Sequence, residues 1–250
     1  QMCIRDRASA VNLRTVAEHA RDGEAAWFVE SRVLAGDGTA ADGVVNAVND
    51  ENIRVAFLHL DPARPRNSRT HALEEMQPPL DRVLEAWAPH FSSAPEGPAV
   101  LLDLSPRLTA VQRSEVEKIV ERVWPGVAKT WEWTSRGRGR VDRLALWLGG
   151  IASQRVARRF VRVPSTPAEM PVVLSTEAEE STLVHRHHPP KRGEQVSIVD
   201  AALVESGLVN AWLADVNAED QHRWAFTEGR RPQLHHDRPL NLADQDAWLV

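Results

Sequence analysis

The sequence predicts an α/β fold in which a mostly parallel sheet carries an antiparallel edge hairpin, and a small α+β domain follows. Two apolar runs, at residues 53–60 and 98–104, stop at polar residues and proline, which is typical of buried strands. The segments at 80–87 and 110–123 carry apolar residues at helical spacing. Strands that alternate with helices in this way favour a sheet with parallel strands.

Local signals support each element in turn. Residues 11–20 have helical spacing, and residues 25–30 form a short apolar and aromatic run typical of a strand. Residues 44–49 predict a single helical turn. Proline in the first turn favours a helix at 80–87. Thr109 is a good cap for the helix that follows it.

A hairpin is predicted next along the chain. Residues 129–134 and 141–148 alternate between apolar and polar side chains, which is typical of half-buried strands. The glycine-rich basic turn at 135–140 separates them. We therefore expect an antiparallel pair at an edge of the sheet.

The composition changes after a Gly-Gly pair, and this change predicts two domains, at residues 1–150 and 151–250. In the second domain, residues 155–163 form a basic strand or helix. Asp200 is expected to cap an amphipathic helix over residues 201–214. Short strands and loops make up the remainder.

Composition excludes several classes of protein. The chain has 250 residues, a net charge of −5 and one cysteine, Cys3, so it has no intrachain disulfide and no cysteine-based zinc site. No apolar run approaches the roughly 20 residues of a membrane span. These features favour a cytoplasmic protein without membrane contact. The overall charge gives no argument for nucleic acid, so any such argument must be local.

The histidines of the second domain are interpreted as surface residues of loops. Neighbouring histidines on one strand point to opposite faces and chelate a metal poorly. We therefore predict no metal site among the histidines at positions 185, 187, 188, 235 and 236.

The end of the strand at 53–60 is the strongest candidate for a ligand site. Asp61, Pro62, Ala63 and Arg64 follow that strand directly. In open α/β sheets, ligands bind outside the carboxyl ends of the strands. A strand-ending Asp-Pro turn is also common in proteins without any such site.

Several short motifs, in this order, resemble one family. They are Asp61-Pro-Ala-Arg64, Pro78-Pro-Leu80, Leu101-Leu-Asp-Leu-Ser-Pro106, Trp131-Glu-Trp-Thr-Ser135, Arg143-Leu-Ala-Leu-Trp147 and Asp200-Ala-Ala-Leu-Val-Glu-Ser-Gly-Leu208. The order is similar to that of class I S-adenosylmethionine-dependent methyltransferases with a carboxy-terminal THUMP-like domain. The resemblance implies a partial Rossmann-like methyltransferase sheet in the first domain and a THUMP-like second domain.

The resemblance also implies roles for individual residues. Asp61 and Pro62 would carry the methyl-transfer site, where the enzyme mainly orients the reactants. The acceptor pocket would include Ala63, Arg64, Asp103, Ser105 and Pro106. Glu30 or Asp37 would contact the adenine edge of S-adenosylmethionine. RNA is the implied acceptor, because THUMP-type modules accompany RNA modification. Arg64 stands where related amino-methylating enzymes have an aromatic residue, and its planar guanidinium can also stack on a base.

The family's first strand and glycine-rich loop have no counterpart in the sequence. Residues 1–7 resemble a translated adapter remnant, so we expect an amino-terminally truncated methyltransferase that is inactive as it stands. Because the family's first strand lies beside its fourth, the strand at 53–60 is expected at an exposed edge of the sheet.

A cluster of arginines gives a local argument for RNA. Arginines interleaved with tryptophans suit a phosphate backbone and exposed bases. The predicted RNA-binding residues are Arg136, Arg138, Arg140, Arg158 and Arg159. A solvated hairpin tip and basic linker is the alternative interpretation. Two further functions stay open: a non-catalytic RNA-binding or adaptor module on a degenerate methyltransferase fold, and a small-molecule methyltransferase.

Overall fold

The computed structural model describes most of the central part of the chain. The described residues are 15, 36–47, 54–63, 72–92, 94–137, 139–166, 171–176, 185–186, 191–216, 222–225, 233–236, 239–240 and 242. The predicted helix at 11–20 (apart from residue 15) and the predicted strand at 25–30 lie outside these residues. So do Glu30, Arg64 and Arg138.

The described elements follow the predicted alternation. The helices are α1 (Ala41–Ala47), α2 (Leu80–Trp87), α3 (Ala110–Val123), α4 (Ala201–Glu205) and α5 (Val209–Asp215). The strands of the first sheet are β1 (Leu58–Leu60), β2 (Val100–Leu104), β3 (Lys129–Ser135), β4 (Arg143–Leu148), β5 (Arg158–Arg162) and β6 (Val172–Thr176). The strands of the second sheet are β7 (His185–Arg186), β8 (Gln195–Ile198), β9 (His222–Ala225) and β10 (Gln233–His236).

The first sheet confirms the α/β fold class and the mostly parallel direction. Its six strands have the order β1-β2-β4-β3-β5-β6. The strands β1, β2, β3 and β5 run in one direction, while β4 and β6 run in the other. The second sheet has the order β7-β9-β10-β8, and β10 pairs antiparallel with both of its neighbours.

The hairpin β3–β4 is antiparallel as predicted, but its predicted place at the edge is wrong. β4 lies between β2 and β3, and β3 pairs with β5 on its other side. After β4, the chain crosses to the far side of β3, where β5 pairs in parallel with β3. The sheet therefore continues through β5 and β6 and does not end at the predicted domain division at residue 150.

The core lies where the central strands meet α2 and α3. All five residues of β2 are buried, and Trp133 of β3 is fully enclosed. Trp131 Nε1 donates to Glu117 Oε1 at 2.6 Å, which ties α3 to the hairpin. The predicted cap of α3 is confirmed: Thr109 Oγ1 accepts from Gln112 N at 3.2 Å, and Gln112 Oε1 accepts from Thr109 N at 2.9 Å.

The strand that carries the candidate site lies at an edge of the described sheet, as predicted, but it is shorter than predicted. β1 has three residues, and its side chains are half-buried or exposed. Its only strand partner among the described residues is β2. The edge position explains the exposure, because one side of an edge strand faces away from the sheet.

Two predictions for the last part of the chain need correction. The predicted helix at 201–214 is two helices, because Gly207 has φ 76° between α4 and α5, a conformation that ends a helix. Asp200 caps α4 as predicted, accepting from Ala202 N at 2.8 Å. His235 and His236 are not loop residues on the surface, since both are buried on β10.

Candidate functional site

A pocket of about 270 Å³ lies at the carboxyl end of β1. Its walls come from β1 and its following turn, from α2, and from the turn that precedes α1. The lining residues are Gly38, Leu58, His59, Leu60, Asp61, Pro62, Pro78, Leu80, Val83 and Trp87. The structure therefore brings the Asp61-Pro62 turn to a cavity, at the strand end where the sequence predicts a ligand site.

Backbone and indole hydrogen bonds assemble this pocket from distant segments. Ala63 N donates to Gln77 O at 3.0 Å, and Gln77 N donates to Ala63 O at 2.9 Å. This bridge joins two of the motifs that carry the resemblance, the Asp-Pro-Ala turn and the Pro78-Pro79 segment. Trp87 Nε1 donates to Gly38 O at 2.8 Å, which joins the end of α2 to the turn before α1.

The lining is largely apolar, with a few polar groups at the strand end. Leu80, Val83 and Trp87 stand on successive turns of α2, and Leu80 and Val83 are buried. Asp61 is exposed and Pro62 is half-buried. A largely apolar pocket with a few polar groups is the usual form of a small-ligand site. Ala63 is exposed beside this pocket but does not line it.

Asp103 lies beside the pocket, between the imidazole of His59 and the guanidinium of Arg143. His59 Nε2 is 2.8 Å from Asp103 Oδ2, and Arg143 Nε is 2.9 Å from Asp103 Oδ1. Asp103 is buried, whereas His59 and Arg143 are exposed to solvent. Asp103 is thus not part of the pocket wall, but it contacts His59, which is.

Ser105 and Pro106, two other residues predicted for the acceptor pocket, are placed elsewhere. They form the turn between β2 and α3, in which Ser105 O accepts from Leu108 N at 3.1 Å. Ser105 Oγ accepts from Arg107 N at 3.3 Å. Neither Ser105 nor Pro106 is among the described residues that line the pocket.

Asp37 lies next to the pocket residue Gly38, with its carboxylate engaged in the turn that leads into α1. Thr39 N and Thr39 Oγ1 donate to Asp37 Oδ1 at 2.9 and 2.8 Å. These two hydrogen bonds hold the pKa of Asp37 below its ordinary value. Asp37 is therefore close to the site, as predicted for a cofactor residue, but it is not part of the lining.

The predicted arginine patch is divided between the β3–β4 turn and the strand β5. Arg136 and Arg140 lie in that turn. Because β1 and β3 run in the same direction, the turn lies on the side of the sheet where the carboxyl end of β1 leads to Asp61. Arg158 pairs with Trp131, the third residue of β3, which is four residues before the last residue of that strand. At about 3.3 Å per residue, that distance is about 13 Å.

Asp142 partly neutralises the arginines of the turn. Its carboxylate accepts from Arg136 N at 2.7 Å, and both Arg136 and Arg140 approach it at 3.4 Å. Burial would raise the pKa of Asp142, but the hydrogen bonds from Arg136 and the charges of both arginines outweigh it and lower that pKa. The guanidinium groups themselves remain largely exposed.

Arg158 and Arg159 are half-buried, and both are bonded to other residues of the protein. Arg159 Nε donates to Glu132 Oε2 at 2.6 Å, and its guanidinium lies 5.4 Å from the centre of the Trp147 ring. Arg158 donates to Ser206 O at 3.3 Å and lies 5.6 Å from the centre of the Trp133 ring. These two residues are predicted RNA-binding residues, but the bond of Arg159 joins β5 to β3, and that of Arg158 connects the first sheet to the α4–α5 turn.

Three residues of the site were not singled out from the sequence. Gly38 and Trp87 line the pocket from segments far from Asp61 along the chain, and only their tertiary contact reveals them. His59 could have been noticed, because it is a polar residue within an apolar strand. Its partner Asp103 is a similar polar residue within a strand that is otherwise apolar.

The described residues do not make a complete site for S-adenosylmethionine. In the described part of the chain, no glycine-rich turn leads from a strand into a helix, which is the arrangement that wraps such a cofactor. Asp37 is present beside the pocket, but its carboxylate already accepts two hydrogen bonds from Thr39.

Within the described ranges, no three histidine, cysteine, aspartate or glutamate side chains are grouped so that they could hold a metal ion. None of the helices described has the length and apolar character needed to cross a membrane. Comparison of the chain with protein-family models, with curated proteins and with solved structures finds no match.

Proposed function

We propose that this chain carries the acceptor-binding side of a class I S-adenosylmethionine-dependent methyltransferase that acts on RNA. The observation that carries the proposal is the order β1-β2-β4-β3, in which the antiparallel β4 lies between β2 and β3. We take these four strands to correspond to the last strands of that family's sheet, with β5 and β6 extending the sheet beyond them. The THUMP-like nature of the carboxy-terminal part belongs to the same proposal.

The pocket at the end of β1 supports the acceptor role. Its apolar lining and the Trp87 indole suit a flat ring, and Asp61 supplies a carboxylate at the rim. Aromatic side chains bind unpaired bases by stacking, and polar groups then recognise the edge of the base. We propose that one nucleobase of a single-stranded RNA occupies this pocket.

Exposed arginines on the side of the sheet where the carboxyl end of β1 lies support RNA as the ligand. Arg136, Arg140 and Arg143 each expose more than half of the side chain. Arg143 belongs to this group because it begins β4, directly after the turn. A strand of RNA with a base in the pocket would run past these side chains, and its phosphates would release counterions on binding.

The test measures binding of a fluorescent single-stranded RNA by anisotropy at several salt concentrations. Arg140→Glu and Arg143→Glu are expected to weaken binding and to flatten its salt dependence, by a slope of roughly 0.7 for each lost phosphate contact. Arg155→Glu is the matched control, because it makes the same charge change at an exposed position near the start of β5. If all three variants weakened RNA binding equally, the RNA would not run past Arg140 and Arg143 as proposed.

A non-catalytic RNA-binding module is the second candidate, since the exposed arginines would serve it equally well. The two functions differ in the role of the pocket. Trp87→Ala should weaken RNA binding roughly tenfold or more if a base stacks there, since each stacked base contributes about 1–3 kcal/mol. Unchanged binding by Trp87→Ala, with the arginine effects retained, would favour the module. Calorimetric titration with S-adenosylmethionine would show whether this chain also binds the methyl donor.

A further inference from the structure

Two histidine–aspartate pairs of the chain have opposite patterns of burial. In the first, the side chain of His59 is 44% exposed and that of Asp103 is 9% exposed. In the second, His90 Nε2 lies 2.9 Å from Asp42 Oδ1, and the exposures are 14% for His90 and 90% for Asp42. Only the first pair therefore presents its imidazole to solvent while keeping its carboxylate inside.

The geometry of the first pair determines which ring nitrogen is reactive. An ionised carboxylate only accepts hydrogen bonds, so His59 Nε2, at 2.8 Å from Asp103 Oδ2, carries a proton. In the neutral ring, Nδ1 then holds the lone pair. Arg143, at 2.9 Å from the other carboxylate oxygen, compensates the buried negative charge of Asp103. A buried carboxylate that fixes the tautomer and orientation of an accessible imidazole is the arrangement that produces a general base.

The position of His59 relative to the pocket supports such a role. His59 and Asp61 both belong to the pocket wall. Side chains alternate along extended chain, so His59 of β1 and Asp61, the residue directly after β1, are expected on the same side. The register agrees for Asp103, because His59 pairs with Leu101 and Asp103 lies two residues further along β2. His59 and the candidate residue Asp61 therefore lie two residues apart at the carboxyl end of β1.

We propose that His59 is the proton acceptor of this pocket and that Asp103 is its positioning residue. The substrate class is a flat heteroaromatic ring that carries an N–H or O–H group. In the step, that bond breaks, its proton moves to His59 Nδ1, and its electron pair stays on the ring atom, which becomes a nucleophile. The imidazolium that forms is stabilised by Asp103. The inference rests on the proposed function, since it takes the ring to be the nucleobase bound beside Asp61.

The test uses a probe that needs neither RNA nor a methyl donor. The full chain is mixed with p-nitrophenyl acetate at pH 8, where an ordinary imidazole is neutral. The His59 Nδ1 lone pair attacks the ester carbonyl carbon, p-nitrophenolate leaves, and water then releases acetate from the acyl-imidazole. We expect release of p-nitrophenolate above that of free imidazole at equal concentration. His59→Gln should remove this excess, and Asp103→Asn should lower it at least about tenfold.

His90→Gln is the matched control, because it removes the histidine of the pair with the opposite burial, and its rate should equal that of the unmodified chain. Long-range ¹H–¹⁵N spectra of the imidazoles provide a second readout: the His59 ring should be protonated at Nε2, and this preference should weaken in Asp103→Asn. A rate that persists in His59→Gln, or a His59 ring protonated at Nδ1, would overturn the inference. Since RNA is absent from both measurements, their failure would leave the RNA-binding test of the pocket unaffected.

Discussion

The two sides of the six-stranded sheet are held together in different ways. On the β1 side, an edge strand of three residues borders an open pocket, and its side chains are half-buried or exposed. On the β3–β5 side, the hydrogen bond from Trp131 to Glu117 joins β3 to α3, and the largely buried ion pair of Arg162 with Asp200 joins β5 to the start of α4. The polar groups of the first side are accessible to a ligand, whereas most of those on the second side are bonded to one another.

Asp200 shows how the second side is stabilised. Its carboxylate accepts from Ser135 Oγ at 2.7 Å, from Arg162 at 3.0 Å and from Ala202 N at 2.8 Å. One buried residue thus joins the ends of β3 and β5 to the start of α4. An arginine-rich segment therefore suits an RNA surface only where the fold leaves the guanidinium groups exposed, as it does at Arg136, Arg140 and Arg143.

The largest expected effect on the free energy of unfolding follows removal of the Asp200 carboxylate. Asp200→Ala leaves the largely buried Arg162 guanidinium without its carboxylate partner and removes the cap of α4, so we expect a loss of about 3–5 kcal/mol in the free energy of unfolding. Asp61→Ala removes an exposed carboxylate and should change this free energy by no more than about 0.5 kcal/mol. Urea unfolding of the two variants measures the contrast. Similar losses in both would remove the distinction between the two sides.

Leucine-to-alanine substitutions at two paired positions compare the packing of the buried strand β2 with that of the edge strand β1. Leu102 of β2 is fully buried, whereas its register partner Leu60 of β1 is half-buried. Leu102→Ala is therefore expected to cost about 2–5 kcal/mol, the range for buried leucines, and Leu60→Ala clearly less. Thermal unfolding of the two variants against the unmodified chain provides the measurement. A larger loss for Leu60→Ala would mean that β1 is better packed than its exposure indicates.

Removal of the α3 cap should have a smaller effect. Thr109→Ala deletes the hydroxyl that accepts from Gln112 N and is expected to cost about 1 kcal/mol. Thr109→Ser keeps the hydroxyl and serves as the control. The check is the unfolding midpoint in urea, which Ser should preserve and Ala should lower.

The smallest expected effect concerns pH. The pKa of Asp142 is lowered in the folded chain, so its contribution to stability is present above the ordinary aspartate pKa and is lost as pH falls through the folded value. Asp142→Asn should therefore be less stable than the unmodified chain at pH 7, with the difference shrinking below about pH 4. Urea unfolding at a series of pH values tests this, and a difference independent of pH would contradict it.

The regular elements of the central part were predictable because local chemistry specifies them. Pro79 precedes the first residue of α2, and Thr109 caps α3, so both helices begin where the sequence indicates. Gly207 interrupts the predicted last helix because a positive φ cannot continue it, and this requirement of the α4–α5 turn is not visible in the apolar spacing.

The site was predictable only where one segment carries it. Asp61 and Pro62 follow from the strand end, whereas Trp87, Gly38 and the His59–Asp103 bond depend on contacts between distant segments. The partners of Arg162 and Arg143 were missed for the same reason. Asp200 is 38 residues from Arg162 along the chain, and only the fold brings the two together.

The pocket at Asp61 and Pro62 is the proposed binding place of one base of single-stranded RNA. Ultraviolet crosslinking of such an RNA to the full chain, followed by mass spectrometry of the attached peptides, tests this binding place most directly. We expect crosslinks at residues 58–62 and at Trp87, and their loss in Trp87→Ala. Crosslinks confined to peptides of the second sheet, or equal yields with and without Trp87, would show that the base binds elsewhere.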